Sequence, residues 1–160
     1  MNKLGIDIGG VIIDRKKNDS SDTSLFGPNY LNAFAVEGAF DTIKILHERF
    51  AGEVYVVSKC GANIERKSRE WLVHNGFTAT TGVKMENVHF CRRRSDKAPI
   101  CEKLGITHFI DDKLEVLSYL TSVKNRYLFD PNPQEVQEYS RFLPLVTKVL
   151  TWKELEGAIK

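Results

Sequence analysis

Residues 3–14 read Lys-Leu-Gly-Ile-Asp-Ile-Gly-Gly-Val-Ile-Ile-Asp, an apolar run that carries one acid, Asp7, and then breaks into paired glycines, Gly9 and Gly10. A short apolar run bounded by glycine reads as a buried strand. The glycine pair lets the backbone turn sharply or approach a ligand closely. Asp7 is therefore delivered where a buried strand meets a loop, which is a place for chemistry. It is equally a place where an aspartate caps a turn, and this stretch alone leaves both readings open.

Further runs of strand length follow. Val54–Val57 stops at Ser58-Lys59-Cys60-Gly61, Val88–Phe90 is a short third run, and His108–Ile110 ends on Asp111-Asp112. Tyr127–Phe129 and Lys148–Leu150 complete the set. Between them lie helical patterns. Phe40, Ile43, Leu46 and Phe50 recur at helical spacing, and 62–75 places Ile64, Trp71 and Leu72 inward before a stop at Gly76. Ser95 or Asp96 can cap a helix that runs to Gly105, with Pro99 in its first turn, and Leu114, Leu117 and Leu120 mark the next. Thr151 with Glu154 three residues on reads as a capping box for a last helix.

Strands alternating with helical crossovers predict an α/β fold, a Rossmann-like three-layer α/β/α arrangement around a central parallel sheet. At 160 residues the chain has room for one domain, 1–160. The polar stretch after Asp14 is too long for a simple turn, and 14–37 reads either as a flap or small lid or as a mobile loop, which composition alone does not separate. Ligands of such sheets bind outside the carboxyl ends of the strands. Asp7, Ser58, Lys97, Asp111 and Asp112 all fall where they can reach that edge.

A net charge of +2 gives no reason to expect a nucleic-acid partner. The local run Arg92-Arg93-Arg94 either borders the strand ends, where it can meet an anion, or is a solvated loop. Cys60, Cys91 and Cys101 are odd in number and fall in no metal-ligand spacing, which suits a reducing, cytoplasmic setting. Asp7 interrupts the only apolar N-terminal run, so neither a leader nor a membrane partner is expected.

An acid able to attack, a hydroxyl, an ammonium and two adjacent carboxylates suit phosphoryl transfer assisted by Mg²⁺. Aspartate can divide the displacement into two easier steps through an acyl phosphate. Mg²⁺ prefers oxygen ligands, which clustered carboxylates supply. Ser58 and Lys97 can hold the equatorial phosphate oxygens, and Ser58 can also cap the helix after it.

In this order the residues resemble the four motifs of the haloacid dehalogenase superfamily. Leu-Gly-Ile-Asp7-Ile-Gly-Gly-Val is similar to motif I, Val-Tyr-Val-Val-Ser58 to motif II, Lys97 to motif III, and His-Phe-Ile-Asp111-Asp112 to motif IV. The resemblance spans Lys3 to about Phe129. It implies a Mg²⁺-dependent phosphatase with a very small or absent cap, acting on a small phosphorylated substrate through an aspartyl phosphate on Asp7. Ser58, Lys59, Gly9 and Gly10 would hold the phosphate, with Lys97 beside the nucleophile. Mg²⁺ would be held by Asp7, the Gly9 carbonyl and Asp111, with Asp112 joining directly or through water.

The chain departs from that pattern at Gly9, where phosphatases of the superfamily usually carry a second aspartate that protonates the leaving group and then activates water. Acid–base help of this kind is worth about 10²–10⁴-fold. The departure opens an alternative, a catalytically impaired member that binds a phosphorylated ligand or a protein partner. Asp14 is the nearest acid downstream. Asp7-Ile-Gly-Gly is also similar to the phosphate loop of actin-like sugar kinases, but those need two related lobes and this chain has room for one.

Overall fold

The apolar runs become the strands of one six-stranded sheet, and every pairing in it is parallel. They are β1 (Leu4–Ile6), β2 (Val54–Lys59), β3 (Val88–Cys91), β4 (His108–Asp111), β5 (Asn125–Phe129) and β6 (Thr147–Val149), in the spatial order β3-β2-β1-β4-β5-β6. The computed structural model describes residues 1–16 and 24–159. The polar tract Lys17–Thr23 within the expected flap lies outside them, as does Lys160.

Alternation along the strands divides the core in two. Leu4, Ile6, Val54, Val56, Ile110, Tyr127 and Phe129 pack on one face, while Val57, Phe109 and Leu128 pack on the other. A strand buried on both sides must be apolar at successive positions, which is why these runs read as continuous rather than alternating. Helices α1 (Ala39–Arg49), α2 (Ala62–His74), α3 (Phe77–Thr81) and α7 (Trp152–Ala158) cover the first face. The second is covered by α4 (Lys97–Leu104), α5 (Leu114–Tyr119) and α6 (Pro133–Glu138). The three-layer architecture is as expected. None of these helices is long and apolar enough to cross a membrane.

Local details depart from expectation. Helices α3 and α6 were not foreseen. No side chain caps α4: the Asp96 carboxylate turns back to accept from the Arg93 amide at 3.0 Å instead. Ile64 is only half-buried and lines a cavity, and Ser68 takes the buried place beside Trp71 and Leu72. Glu154 accepts from the Leu150 amide, while its own amide donates to Thr151 Oγ1. That is a looser version of the expected box.

The order of the strands decides where a ligand can sit. From β1 the chain builds outward through β2 to β3, then crosses back to place β4 on the other side of β1. Connections therefore leave the carboxyl ends of β1 and β4 in opposite directions and open a crevice between them. Asp7 follows β1 and Asp111 ends β4, so both carboxylates stand at this switch point.

Candidate functional site

The loop after β1 is held by its own backbone and by two tryptophans. The Ile8 carbonyl accepts from the amides of Val11, Ile12 and Ile13, and the Gly10 amide donates to the Ile13 carbonyl. Trp152 Nε1 donates to the Val11 carbonyl at 2.9 Å, and Trp71 Nε1 to the Ala33 carbonyl at 3.0 Å. Buried indoles need such acceptors, and here they fix the loop against the core. The chain leaves at Ile13–Asp14 and returns at Phe34–Val36, where Asp14 donates to Phe34 and Val36 to Ile12. The two ends of the expected flap are thus tied side by side.

Lys97 opens α4 and is 2 % exposed. Its ammonium donates to Asp7 Oδ1 at 3.0 Å and to Asp111 Oδ2 at 2.8 Å. Both carboxylates are buried as well. Asp7 is oriented by its amide, which donates to the Ile110 carbonyl on β4, and Asp111 Oδ1 accepts from the Lys113 amide. Glu135 on α6 accepts from the amides of Leu114 and Glu115 at 2.8 and 2.9 Å. An acid is well placed at a helix start, and this one fastens α5 immediately behind Asp111-Asp112.

The cluster holds more negative charge than Lys97 neutralises. Asp7, Asp111 and Asp112 each present a carboxylate oxygen within 4.8 Å of the others. Asp112 Oδ1 is buried without a hydrogen-bond partner among the described residues, and Arg15 approaches Oδ2 at 3.5 Å. Burial, then the charge of Asp7, pushes Asp111 up to about 6 against the opposing pull of Lys97. Burial, then Asp7 and Asp111, pushes Asp112 up to about 8. Burial would lower Lys97, but the charges of Asp111 and Asp7 outweigh it and hold the ammonium above its ordinary value. Three hard oxygen donors with one orphaned fit a divalent cation of the Mg²⁺ type.

A pH dependence follows. Carboxyls raised above their unfolded value favour the folded state below the ordinary carboxylate range, and that contribution is lost as pH rises through the folded values near 6 and 8. The cation-free protein should therefore lose thermal stability between about pH 5 and about pH 9. Mg²⁺ should restore more of it as pH rises, because cation binding displaces those protons. Melting curves across that range with chelator and with excess Mg²⁺ test this, and parallel profiles would exclude a cation at the cluster.

Ser58, near the end of β2, is buried and lines a cavity of about 580 Å³ together with Asp7, Gly9, Lys59 and Gly61. Gly61 is the N-cap of α2, whose first amides and dipole favour an anion there. Asp14 lines the same cavity. Lys59 also borders a smaller recess that reaches Lys97, Asp111 and Asp112. Gly10 is different: it lines neither space, and its amide is committed to Ile13. Its φ is +80°, and a Cβ would run into the Asp112 carboxylate. Gly10→Ala should cost about 2 kcal/mol from backbone strain alone, read by urea unfolding, and should weaken cation binding by displacing Asp112.

Two arginines complete the rim. Arg94 pairs with Glu115 at 2.6 Å and borders the smaller recess, whereas Arg92 turns to Glu65 and the Cys60 carbonyl, and Arg93 to Asp96. The basic run thus contributes one residue to the site. Arg15 borders both spaces and escaped the sequence reading altogether. Its only signal was a cation in the polar stretch after the glycine loop. Cys60 is half-buried, and burial raises its thiol, so it is a poor nucleophile despite lining the cavity.

No family model and no curated protein matches the sequence. The structure is similar over 99 % of its length to a Burkholderia xenovorans protein described as a haloacid dehalogenase-like hydrolase, of which 97 % is covered, with 11 % identity and a TM-score of 0.67. It is also similar to the cobalt-bound deoxy-D-mannose-octulosonate 8-phosphate phosphatase of Haemophilus influenzae. There 99 % of this chain and 86 % of that one are covered, with 16 % identity and a TM-score of 0.54.

Proposed function

We propose that this chain, whose fold is that of the haloacid dehalogenase-like hydrolases, is a cation-dependent phosphatase that works through an aspartyl phosphate on Asp7. The observation that carries the reading is the buried ammonium of Lys97 held between Asp7 and Asp111 at the switch point of the sheet. The structural neighbour from Haemophilus influenzae is a phosphatase in a cobalt-bound form, which supports the same chemistry here.

With Oδ1 held by Lys97, Asp7 attacks the phosphorus of a monoester through its other oxygen, and the ester oxygen leaves with the bonding pair. Water then attacks the phosphorus, the bond to Asp7 breaks, and inorganic phosphate and the free carboxylate are regenerated. Asp7, the Gly9 carbonyl, Asp111 and Asp112 would hold Mg²⁺, which when bound neutralises phosphate charge and polarises the phosphoryl group. Ser58, Lys59 and the start of α2 bind the phosphoryl oxygens, while Lys97 keeps the nucleophile oriented and its charge compensated. The substrate is a small phosphorylated molecule that fits the cavity.

The test is phosphate release from a panel of phosphomonoesters in Mg²⁺, with borohydride reduction of the quenched enzyme to convert an acyl phosphate on Asp7 to homoserine. Homoserine at position 7 with released phosphate is expected. Neither appearing with any ester would sink the reading. Gly9 favours a second one, a binding protein of the same fold, which predicts retained Mg²⁺ binding with no turnover.

A further inference from the structure

Gly9 does not have a positive φ, so its backbone does not demand glycine. What stands in the way of a side chain is Arg15: a Cβ on Gly9 would lie 2.6 Å from one guanidinium nitrogen and 3.0 Å from Nε. The position from which a carboxyl would serve the leaving group is thus occupied by the guanidinium of Arg15, whose side chain is 58 % exposed. Arg15 also faces Asp112 and borders both spaces around Asp7. A guanidinium cannot give up a proton near neutral pH, but it stabilises an oxygen that departs as an anion.

The cavity beyond the phosphate position is walled by Ile8, Ile13, Leu25, Phe26 and Ile64. Phe26 is 82 % exposed, an apolar ring open to whatever enters. A volume of about 580 Å³ exceeds what a phosphoryl group needs and suits one attached ring system. Cation at the departing oxygen and apolar wall behind it describe one kind of leaving group.

We propose that the substrates are aryl phosphates, esters of a phenolic hydroxyl, with Arg15 in place of a general acid. The inference rests on the phosphatase reading above. In the first step the bond from Asp7 to phosphorus forms as the bond from phosphorus to the aryl oxygen breaks. The aryloxide leaves with the electron pair beside Arg15 and takes its proton from solvent. A phenol has a pKa of about 10, so its anion departs without protonation. An alkoxide, whose conjugate acid is roughly as weak as water at about 16, does not. The aromatic ring stacks against Phe26 and Leu25.

The experiment measures kcat and KM separately for substituted phenyl phosphates of graded leaving-group pKa, for glycerol phosphate as an alkyl ester, and for acetyl phosphate, whose leaving group is acidic but small. The wild type should show a steep dependence on leaving-group pKa, favour phenyl over glycerol phosphate by about 10²-fold or more, the size of the missing acid help, and bind phenyl phosphates with a lower KM than acetyl phosphate. Arg15→Ala should lower aryl turnover about tenfold or more with little change in KM. The double variant Gly9→Asp/Arg15→Ala, which clears the space for a carboxyl, should flatten the dependence and raise turnover of the alkyl ester. Asp7-dependent turnover with a flat dependence on leaving-group pKa, or with a KM for phenyl phosphates no lower than for acetyl phosphate, overturns the aryl assignment and leaves the phosphatase reading standing. No Asp7-dependent turnover of any ester, in wild type or double variant, overturns both.

Discussion

Asp7→Asn should reduce phosphate release at least about a thousandfold, as loss of a nucleophile does when no other group can take its place, and should leave the fold intact. The amide is nearly isosteric with the carboxylate, and the Asp7 backbone hydrogen bond to Ile110 does not depend on the side chain. Lys97 keeps Asp111 as a partner at 2.8 Å. Removing this charge also relieves its neighbours, because Asp7 is the second largest cause, after burial, of the raised values of Asp111 and Asp112. The variant should therefore lose less stability than the wild type as pH rises in the absence of a cation. Phosphate release and melting curves on the same preparations separate the two effects. Retained turnover in a well-folded variant would remove Asp7 from the chemistry, and with it the aspartyl phosphate.

The same residues show what could be read from the sequence and what could not. Strand ends carrying chemistry were legible because a doubly covered strand is a continuous apolar run, and a charged or hydroxylic residue that ends it stands out. Asp7, Ser58 and Asp111 were found this way. Lys97 was legible only as a residue type on the right helix. That its ammonium bridges two carboxylates, one of them 90 positions away, belongs to the packing of α4. Arg15 was invisible because the polar stretch that carries it has no periodicity. Its place over Gly9 follows from the tied ends of the flap and from the absence of a side chain at Gly9.

The missed helices have separate causes. Helix α3 is one turn of Phe-Thr-Ala-Thr-Thr, whose β-branched threonines argue against helix, and it forms because Phe77 is buried against α1. Helix α6 did announce itself: Asn132 caps it through the amides of Gln134 and Glu135, and Pro133 takes the first helical position. Those signals looked like a turn because two prolines flank the asparagine. The cost of missing α6 was functional, since Glu135 fastens the helix behind Asp111 and Asp112.

Lys97→Met should destabilise the cation-free protein by about 3–5 kcal/mol at neutral pH, the usual consequence of leaving buried charge without its partner. Methionine fills much of the same volume, so packing changes little and the loss is electrostatic. Asp7 and Asp111, 6 % and 1 % exposed, would then face each other with no compensating charge. Asp111, already raised to about 6, can escape by taking up a proton, so the penalty should shrink as pH falls and grow as it rises. Adding Asp111→Asn to Lys97→Met should recover much of the loss, because the two sites are in contact and their effects are not additive. Mg²⁺ offers a second route, since a divalent cation supplies positive charge to the same carboxylates. Stabilisation by Mg²⁺ should be larger in Lys97→Met than in the wild type, even as phosphate release falls. Urea unfolding of the wild type and of the single and double variants, with chelator and with Mg²⁺ at several pH values, gives all four quantities. If Lys97→Met unfolds like the wild type in chelator at neutral pH, the buried ammonium is not what holds these carboxylates together, and the cluster must be neutralised by protons instead.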